Sequence, residues 1–431
     1  MSSRLYSLDE CTVPRTVSAT CTVCGCVCDD LVVQIDSSGV SVTNIRCELA
    51  EEWFGQLEKS HPPIAQVGES SVELSKALDA AADLLRESRS PLIYGLSASS
   101  TPGQRAAVAL ADRIGATIDT TASRCHAPSI MAVQQVGEST CSLGEATLRA
   151  DLVIYWGVDP LKTHPRHLER VVEPTGKLLE GRERKIVVVD TEANSSESRA
   201  DMSIRLTGEN QFEALWVLRG LVKGIELEPS VADRVPFNQL AELAKEMKSS
   251  RCGVVFFGLG LTQGELGPRT VEALLVLTQE LNDYTRFHAR RMRMYGDVAG
   301  ADSVLCWQTG YPFSVNLACG YPRYNPGEYS ASEMLERGEV DCAVIVGGEC
   351  IEVLTEEAQR QLTCIPTILL ESPGWPASFT PSVRFCTGIY GVHAVGTAYR
   401  MDEVPLPLEP FLTSEYPTDE FVLQEIERRL V

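Results

Sequence analysis

The sequence predicts an α/β protein with mainly parallel sheets behind a small cysteine-rich N-terminal module. Three observations predict it. Residues 1–62 are crowded with cysteine and carry no long periodic pattern. Beyond them, short apolar β-branched runs alternate with amphipathic helical stretches. The apolar runs end in turns of Gly, Asp or Pro, the grammar of βα units.

The bulk numbers bound the class. The chain has 431 residues, of which 44% are hydrophobic and 23% charged, an ordinary globular composition with room for several domains. Asp and Glu number 59 against 38 Lys and Arg, a formal charge of -21. Such a surface repels phosphate backbones and anionic membranes, so neither is an expected partner. Residues 1–20 lack an apolar signal core, and no apolar run is long enough to span a bilayer, so a cytoplasmic location is expected. In a reducing compartment the 15 cysteines do not imply a disulfide framework. Isolated ones such as Cys342 read as inert buried thiols.

The elements follow in order. Pro62-Pro63 closes the cysteine-rich module as an extended linker. Residues 75–86 place Ala77, Leu78, Ala81, Leu84 and Leu85 at helical spacing. PLIYGLSA, from Pro91, is a strand running into a glycine turn, and residues 104–114 form the helix after it. The pattern recurs at ADLVIYWGVDP, KIVVVDTEA, RCGVVFFGLGLTQ and EVDCAVIVGGEC, with further helices over 210–223 and 271–281. Near-continuous β-branched runs imply parallel strands buried on both faces. Ligands in such sheets sit beyond the C-terminal strand ends. Four strand ends rich in Gly, Asp and Pro, among them WGVDP with Gly157 and Asp159, suit a large phosphorylated cofactor, although single turns of this kind are generic. There is no GxGxxG, Walker A, HExxH or GxSxG pattern.

Four segments carry chemistry. Cys21-x2-Cys24-x3-Cys28, closed by Cys47, has the short 2-then-3 spacing of a [4Fe–4S] site; a four-cysteine zinc site is the alternative. Cys26 is an extra thiol in that loop. Ser123-Arg124-Cys125-His126-Ala127-Pro128 sets a thiol beside an imidazole, either for metal or as a buried structural pair. His164-Pro165-Arg166-His167 suits an anionic cofactor edge or a helix start. The run 286–293 holds four arginines, including Arg290, Arg291 and Arg293. It reads as a fixed-anion site or an exposed helix C-terminus. The Pro/Gly-rich aromatic stretch 307–328 reads as a functional loop.

Taken in order, CTVCGCVCDD, RCHAPS, SLGEATLRADLVIYWGVDP, HPRHLER, WQTGYPFSVNLACGYPRYNPGE and LERGEVDCAVIVGGE resemble the molybdopterin oxidoreductase superfamily. The resemblance is nearest to the B subunit of formylmethanofuran dehydrogenase and runs from Cys21 to Asp402. It implies a [4Fe–4S] cluster on Cys21, Cys24, Cys28 and Cys47, and Cys125 as ligand to tungsten or molybdenum carried by pterin guanine dinucleotide. His126 and Arg293 would be catalytic, and Gly157, Asp159, His164 and Arg166 would contact the cofactor. The implied reaction interconverts CO2 and formate, which a separate amidohydrolase joins to methanofuran. Implied partners are that amidohydrolase-type A subunit, a C-type subunit, and a D-type pterin-binding or formyltransferase subunit, since no C-terminal pterin-binding barrel is recognisable before Val431. Implied domains are an iron–sulfur domain, 1–62; a discontinuous α/β domain, 63–146 with 297–431; and an inserted Rossmann-like domain, 147–296. One departure is the acidic Glu48-Leu49-Ala50-Glu51-Glu52 after Cys47, where the superfamily has basic or small residues. The alternative function is a non-redox scaffold in a bacterial formyltransferase/hydrolase complex of formaldehyde oxidation.

Overall fold

The computed structural model describes every residue except 1–5, 7–12, 58, 228–229, 231–232, 265 and 431. The N-terminal stretch read above as lacking a signal core lies partly outside the described residues. The chain divides into two compact units, Met1–Arg124 with Tyr295–Val431, and Cys125–Met294. The resemblance puts the insertion at 147–296 instead. The difference has a packing cause: helix Ala127–Val136 lies along helix Gly267–Leu281, so the chain from Cys125 onward folds with the second unit. The described residues of 1–62 fall within the first of these units.

The first unit begins with an antiparallel sheet of Arg15–Ala19, Leu31–Asp36 and Gly39–Val42. Leu31, Val33 and Ile35 alternate inward and are fully buried, the period-2 pattern of a sheet with one wet face. Helix Glu48–Gln56 follows Cys47 directly and buries Ala50 and Phe54. Its first turn carries Glu48 and Glu51, and the Glu51 carboxylate accepts the Cys47 N–H at 3.2 Å. The acidic run after Cys47 is therefore a helix start, where carboxylates offset unpaired N–H groups.

The main sheet of this unit has nine strands in the order Arg323–Tyr324, Val315–Asn316, Thr117–Thr120, Pro91–Gly95, Cys342–Val346, Thr367–Glu371, Val383–Cys386, Ala65–Val67, Ser70–Ser71. The five central strands are parallel. The two at each edge are antiparallel. Helices Leu74–Glu87 and Thr101–Ile114 cover the sheet with Ala77, Leu78, Ala81, Leu85, Ala107 and Leu110. The stretch 307–328 turns out to supply the edge pair 315–316 and 323–324. Winding reverses between Pro91–Gly95 and Cys342–Val346: one leads on to Thr117–Thr120, the other to Thr367–Glu371 on the opposite side. This switch is where open α/β sheets place ligands.

The backbone at that switch is strained. Gly95 has φ +117°, and a Cβ there would stand 2.3 Å from the Val346 carbonyl. Leu96 follows with φ +75° and is fully buried. Such a conformation costs on the order of 1–2 kcal/mol for a non-glycine residue and persists only where packing over-determines it. Nearby, the buried Asp297 caps helix Val298–Thr309. Its carboxylate accepts the N–H of Gly300 at 3.0 Å and of Tyr399 at 2.6 Å, and the Gln104 amide at 3.1 Å. Asp297→Ala leaves the buried N–H groups of Gly300 and Tyr399 without this acceptor, while the Gln104 amide keeps the Leu96 carbonyl at 3.3 Å, so urea denaturation is expected to show a loss of about 2–4 kcal/mol. Asp297→Asn, which keeps an acceptor, is expected to lose less than half of that.

The second unit is a five-stranded, wholly parallel sheet in the order Met202–Arg205, Lys185–Asp190, Leu152–Trp156, Cys252–Phe257, Arg286–Arg291. Leu152–Trp156 and Cys252–Phe257 are buried at every position, as expected of strands with both faces covered. Helices Gln211–Val222 and Gly267–Leu281 are tied by the Arg219–Glu280 pair at 2.8 and 3.0 Å. The winding reverses here between Leu152–Trp156 and Cys252–Phe257. No helix among the described residues is long and apolar enough to cross a membrane.

Candidate active site

In the first unit, the loop from Cys21 to Cys28 is closed by Cys21 N–H donating to the Cys28 carbonyl at 2.8 Å and Val27 N–H to the Cys24 carbonyl at 3.1 Å. Val27 turns the chain with φ +37°, unusual for a β-branched residue. Its buried side chain, packed with Tyr390, Ala398 and Leu408, holds it there. Cys21, Cys24, Cys28 and Cys47 are all buried. Burial pushes the Cys21 thiol well up, and the charges of Cys24, Cys28 and Cys47 add to this, so the four share one neighbourhood. The Cys24 thiol is pulled down, first by a hydrogen bond with Cys26. Crowded buried thiols cannot all ionise unaided; a bound cationic centre lets them. Four thiols are the donor type that iron–sulfur clusters take. Among the described residues no group of three or more His, Cys, Asp or Glu side chains is placed to hold a metal ion.

In the second unit, the sheet's switch point gathers Cys125, His126 and the strand-end glycines. A Cβ on Gly157 (φ +60°) would stand 2.7 Å from Leu261 N, so only glycine lets the two strand-end loops meet. Thr262 Oγ1 donates to the Cys125 carbonyl at 3.3 Å. Cys125 is 5% exposed and His126 1%. Neither ring nitrogen of His126 has a hydrogen-bond partner among the described residues. Burial holds its pKa well below the usual range, and the charges of Arg293 and Arg291 and the nearby His164 reinforce this. A buried imidazole with two unused nitrogens beside a thiol and two cations is costly unless something else occupies the site. These residues fit an anionic metal-bound group better than they fit each other.

The other candidates are held tightly by protein. His164 is fully buried; its Nε2–H donates to the Arg293 carbonyl at 2.8 Å and its Nδ1 meets Thr163 Oγ1 at 2.8 Å. Arg166, also buried, pairs with Glu169 at 2.9 Å. Asp159 accepts from Ser195 and Ser196 at 2.6–2.8 Å. Burial would raise its pKa, but those hydrogen bonds keep it below the ordinary carboxylate value. The run 286–293 begins as an edge strand, Arg286–Arg291, and is not a helix end. Arg290 donates twice to the Cys141 carbonyl and Arg291 pairs with Glu138. Arg293, 4% exposed, is the cation that acts most strongly on His126.

Burial also lowers His164 to about 4 and His167, whose Nδ1 meets Tyr155 at 2.9 Å, to about 3. Both lie below the ordinary value of about 6.5, so the unfolded chain takes up protons first. Stability from these groups is complete above about pH 6.5 and is lost as pH falls through about 4 for His164 and about 3 for His167. Each is expected to cost about 2 kcal/mol at pH 5. Urea midpoints for the full chain at pH 7 and pH 5 check this, and equal midpoints contradict it.

The chain is 34% identical over 401 residues to the B subunit of tungsten-containing formylmethanofuran dehydrogenase 2 from Methanocaldococcus jannaschii, covering 91% of this chain and 92% of that one. It belongs to the family of formylmethanofuran dehydrogenase B subunits. No protein-family model matches it. The B subunit of the formyltransferase/hydrolase complex Fhc of Methylorubrum extorquens is 26% identical over 280 residues, covering 65% of this chain and 73% of that one. The crystal structure of that FhcABCD complex with methylofuran contains a chain of the same fold, with a TM-score of 0.70 at 24% identity over 85% of this chain and 98% of that chain. B subunits similar to this chain thus occur in two complexes of different name. The sequence reading missed Ser195 and Ser196, although Asn194-x-x-Glu197 is a legible capping box. The Trp53–Trp375 stack, whose rings lie 5.4 Å apart at 20°, is not legible in the sequence either, because no motif links residues so distant.

Proposed function

We propose that this chain is the redox B subunit of a formylmethanofuran dehydrogenase-type complex, interconverting CO2 and formate. The observation that carries the reading is the buried His126, with both nitrogens unused, beside the buried Cys125 and within reach of the charges of Arg291 and Arg293. Cys125 would ligate tungsten or molybdenum carried by pterin guanine dinucleotide, and Cys21, Cys24, Cys28 and Cys47 would hold a [4Fe–4S] cluster. Bound there, the metal-pterin supplies two-electron chemistry between CO2 and formate.

The chain's own residues do the rest. His126, kept neutral by burial and two cations, can take or return a proton at a ring nitrogen without carrying a standing charge. Arg293 offers a permanent cation to a carboxylate-sized anion. His164 fixes the Arg293 backbone through its carbonyl. The burial of Cys125 and His126 keeps water from the reacting centre. The expected partners are an amidohydrolase-type A subunit, a C-type subunit and a D-type pterin-binding subunit.

The assay that tests this is formate- or formylmethanofuran-dependent reduction of a viologen dye by the anaerobically purified complex. Dye reduction supports the redox reading. Formyl transfer and hydrolysis with no dye reduction support the scaffold alternative, to which the Methylorubrum relative points.

A further inference from the structure

Helices Thr101–Ile114, Val298–Thr309 and Asp419–Arg429 of the first unit border an open groove of about 420 Å³. The first of them packs against each of the other two. Arg105 and Ala109 line the groove from this central helix, Gln308 from the second, and Glu420, Gln424 and Glu427 from the third. Glu420, Gln424 and Glu427 stand at i, i+4 and i+7, on one side of their helix, and Arg105 and Ala109 at i and i+4 on theirs. Rows of this kind are ridges against which a further helix packs, and a residue as small as Ala109 lets its axis come within about 8–10 Å. None of these lining residues has a buried polar atom without a partner among the described residues, so nothing in the groove calls for a small polar ligand.

The charges of the groove are uncommitted. Arg105, Glu420 and Glu427 make no ion pair among the described residues, although Glu425 on the same helix as the two glutamates pairs with both Arg428 and Arg429. Glu420 lies in the first helical turn, where a carboxylate offsets unpaired N–H groups. Glu427 lies in the last turn, where the helix dipole disfavours it and a cation from outside would settle it. Phe421 and Trp307, next in sequence to Glu420 and Gln308, are 44% and 55% exposed. Exposed aromatics beside a groove are the usual anchors of a protein interface. A second copy of the chain suits the groove poorly, since it carries the same charge of -21 and would bring further carboxylates.

We propose that a helix of a partner subunit lies in this groove, with small residues over Ala109 and two basic residues, seven positions apart, facing Glu420 and Glu427. Seven residues span about 10 Å along either helix, so both charge pairs form in one register. The inference rests on the multisubunit reading above and holds for its redox and its scaffold form alike.

The test uses the whole complex, with this chain tagged and its partner subunits coexpressed. Glu420→Arg/Glu427→Arg is compared with Glu69→Arg/Glu409→Arg, an equal charge change at two exposed positions outside the groove. Thermal melts confirm that each chain is folded, and Glu427→Gln serves as a milder variant. The groove variant is expected to bind one partner subunit roughly 10–100-fold more weakly, with the control unchanged and Glu427→Gln in between. A photo-crosslinking residue placed at Ala109 is expected to capture a helical segment of that same subunit with Lys or Arg seven positions apart. Reversing those two residues to Glu is expected to restore binding to Glu420→Arg/Glu427→Arg. Unchanged binding by the groove variant, equal loss in the control, capture of a second copy, or no capture overturns the proposal. If wild type and the groove variant both hold every partner, only the groove assignment fails. If wild type purifies without any partner, the multisubunit reading fails and this one with it.

Discussion

Replacing Cys125 with alanine is expected to abolish viologen reduction by the complex, by about 10³-fold or more, the scale seen when a group essential to the transition state is removed. The substitution should leave the fold intact. Alanine is close to cysteine in size, and the backbone carbonyl at this position still accepts from Thr262. The same variant is expected to lose tungsten or molybdenum in proportion to its activity, while iron on the cysteine loop is retained. Hydrolysis of formylmethanofuran by the partner subunits should be unaffected. Full dye reduction in Cys125→Ala would remove the thiol from the mechanism.

The second large effect is expected at His126. Truncation to alanine removes the buried imidazole proposed to carry the proton, with an expected loss of roughly 10²–10⁴-fold in kcat. Because burial, Arg293 and Arg291 keep His126 neutral, the wild-type rate should show no titration of this imidazole near its ordinary value. Glutamine, which keeps a polar tip but cannot relay a proton in the same way, is expected to retain metal and lose rate. Alanine at His164 should act differently. It removes the donor to the Arg293 carbonyl and loosens a neighbouring side chain, so it is expected to weaken stability as well as turnover.

Much of this was legible beforehand where local pattern and local structure share a cause. The βα grammar at PLIYG, LVIYW, KIVVVD, CGVVFF and CAVIV became buried parallel strands, because apolar β-branched runs can only be covered on both faces. Arg286–Arg291 is ambiguous in the sequence, because charge dominates its composition, whereas in the fold it is an edge strand buried at Phe287 and from Ala289 to Arg291. The stretch 307–328 reads as a functional loop in the sequence, since its two-residue strands are too short to register as periodicity. Cys125 and His126 were visible as a pair, but the unused ring nitrogens of His126 were not. The charge around that imidazole depends on Arg291 and Arg293, some 165 residues away in sequence. The acidic run after Cys47 looked out of place until it proved to be the first turn of a helix.

The most direct measurement is elemental analysis of the whole complex purified without oxygen, with pterin released and identified from the same sample. The redox account predicts one tungsten or molybdenum per copy of this chain, with two pterin dinucleotides, and about four iron atoms on the cysteine loop that disappear in Cys24→Ser. A folded, assembled complex with neither tungsten, molybdenum nor iron, yet full formyltransferase and hydrolase activity, would contradict it.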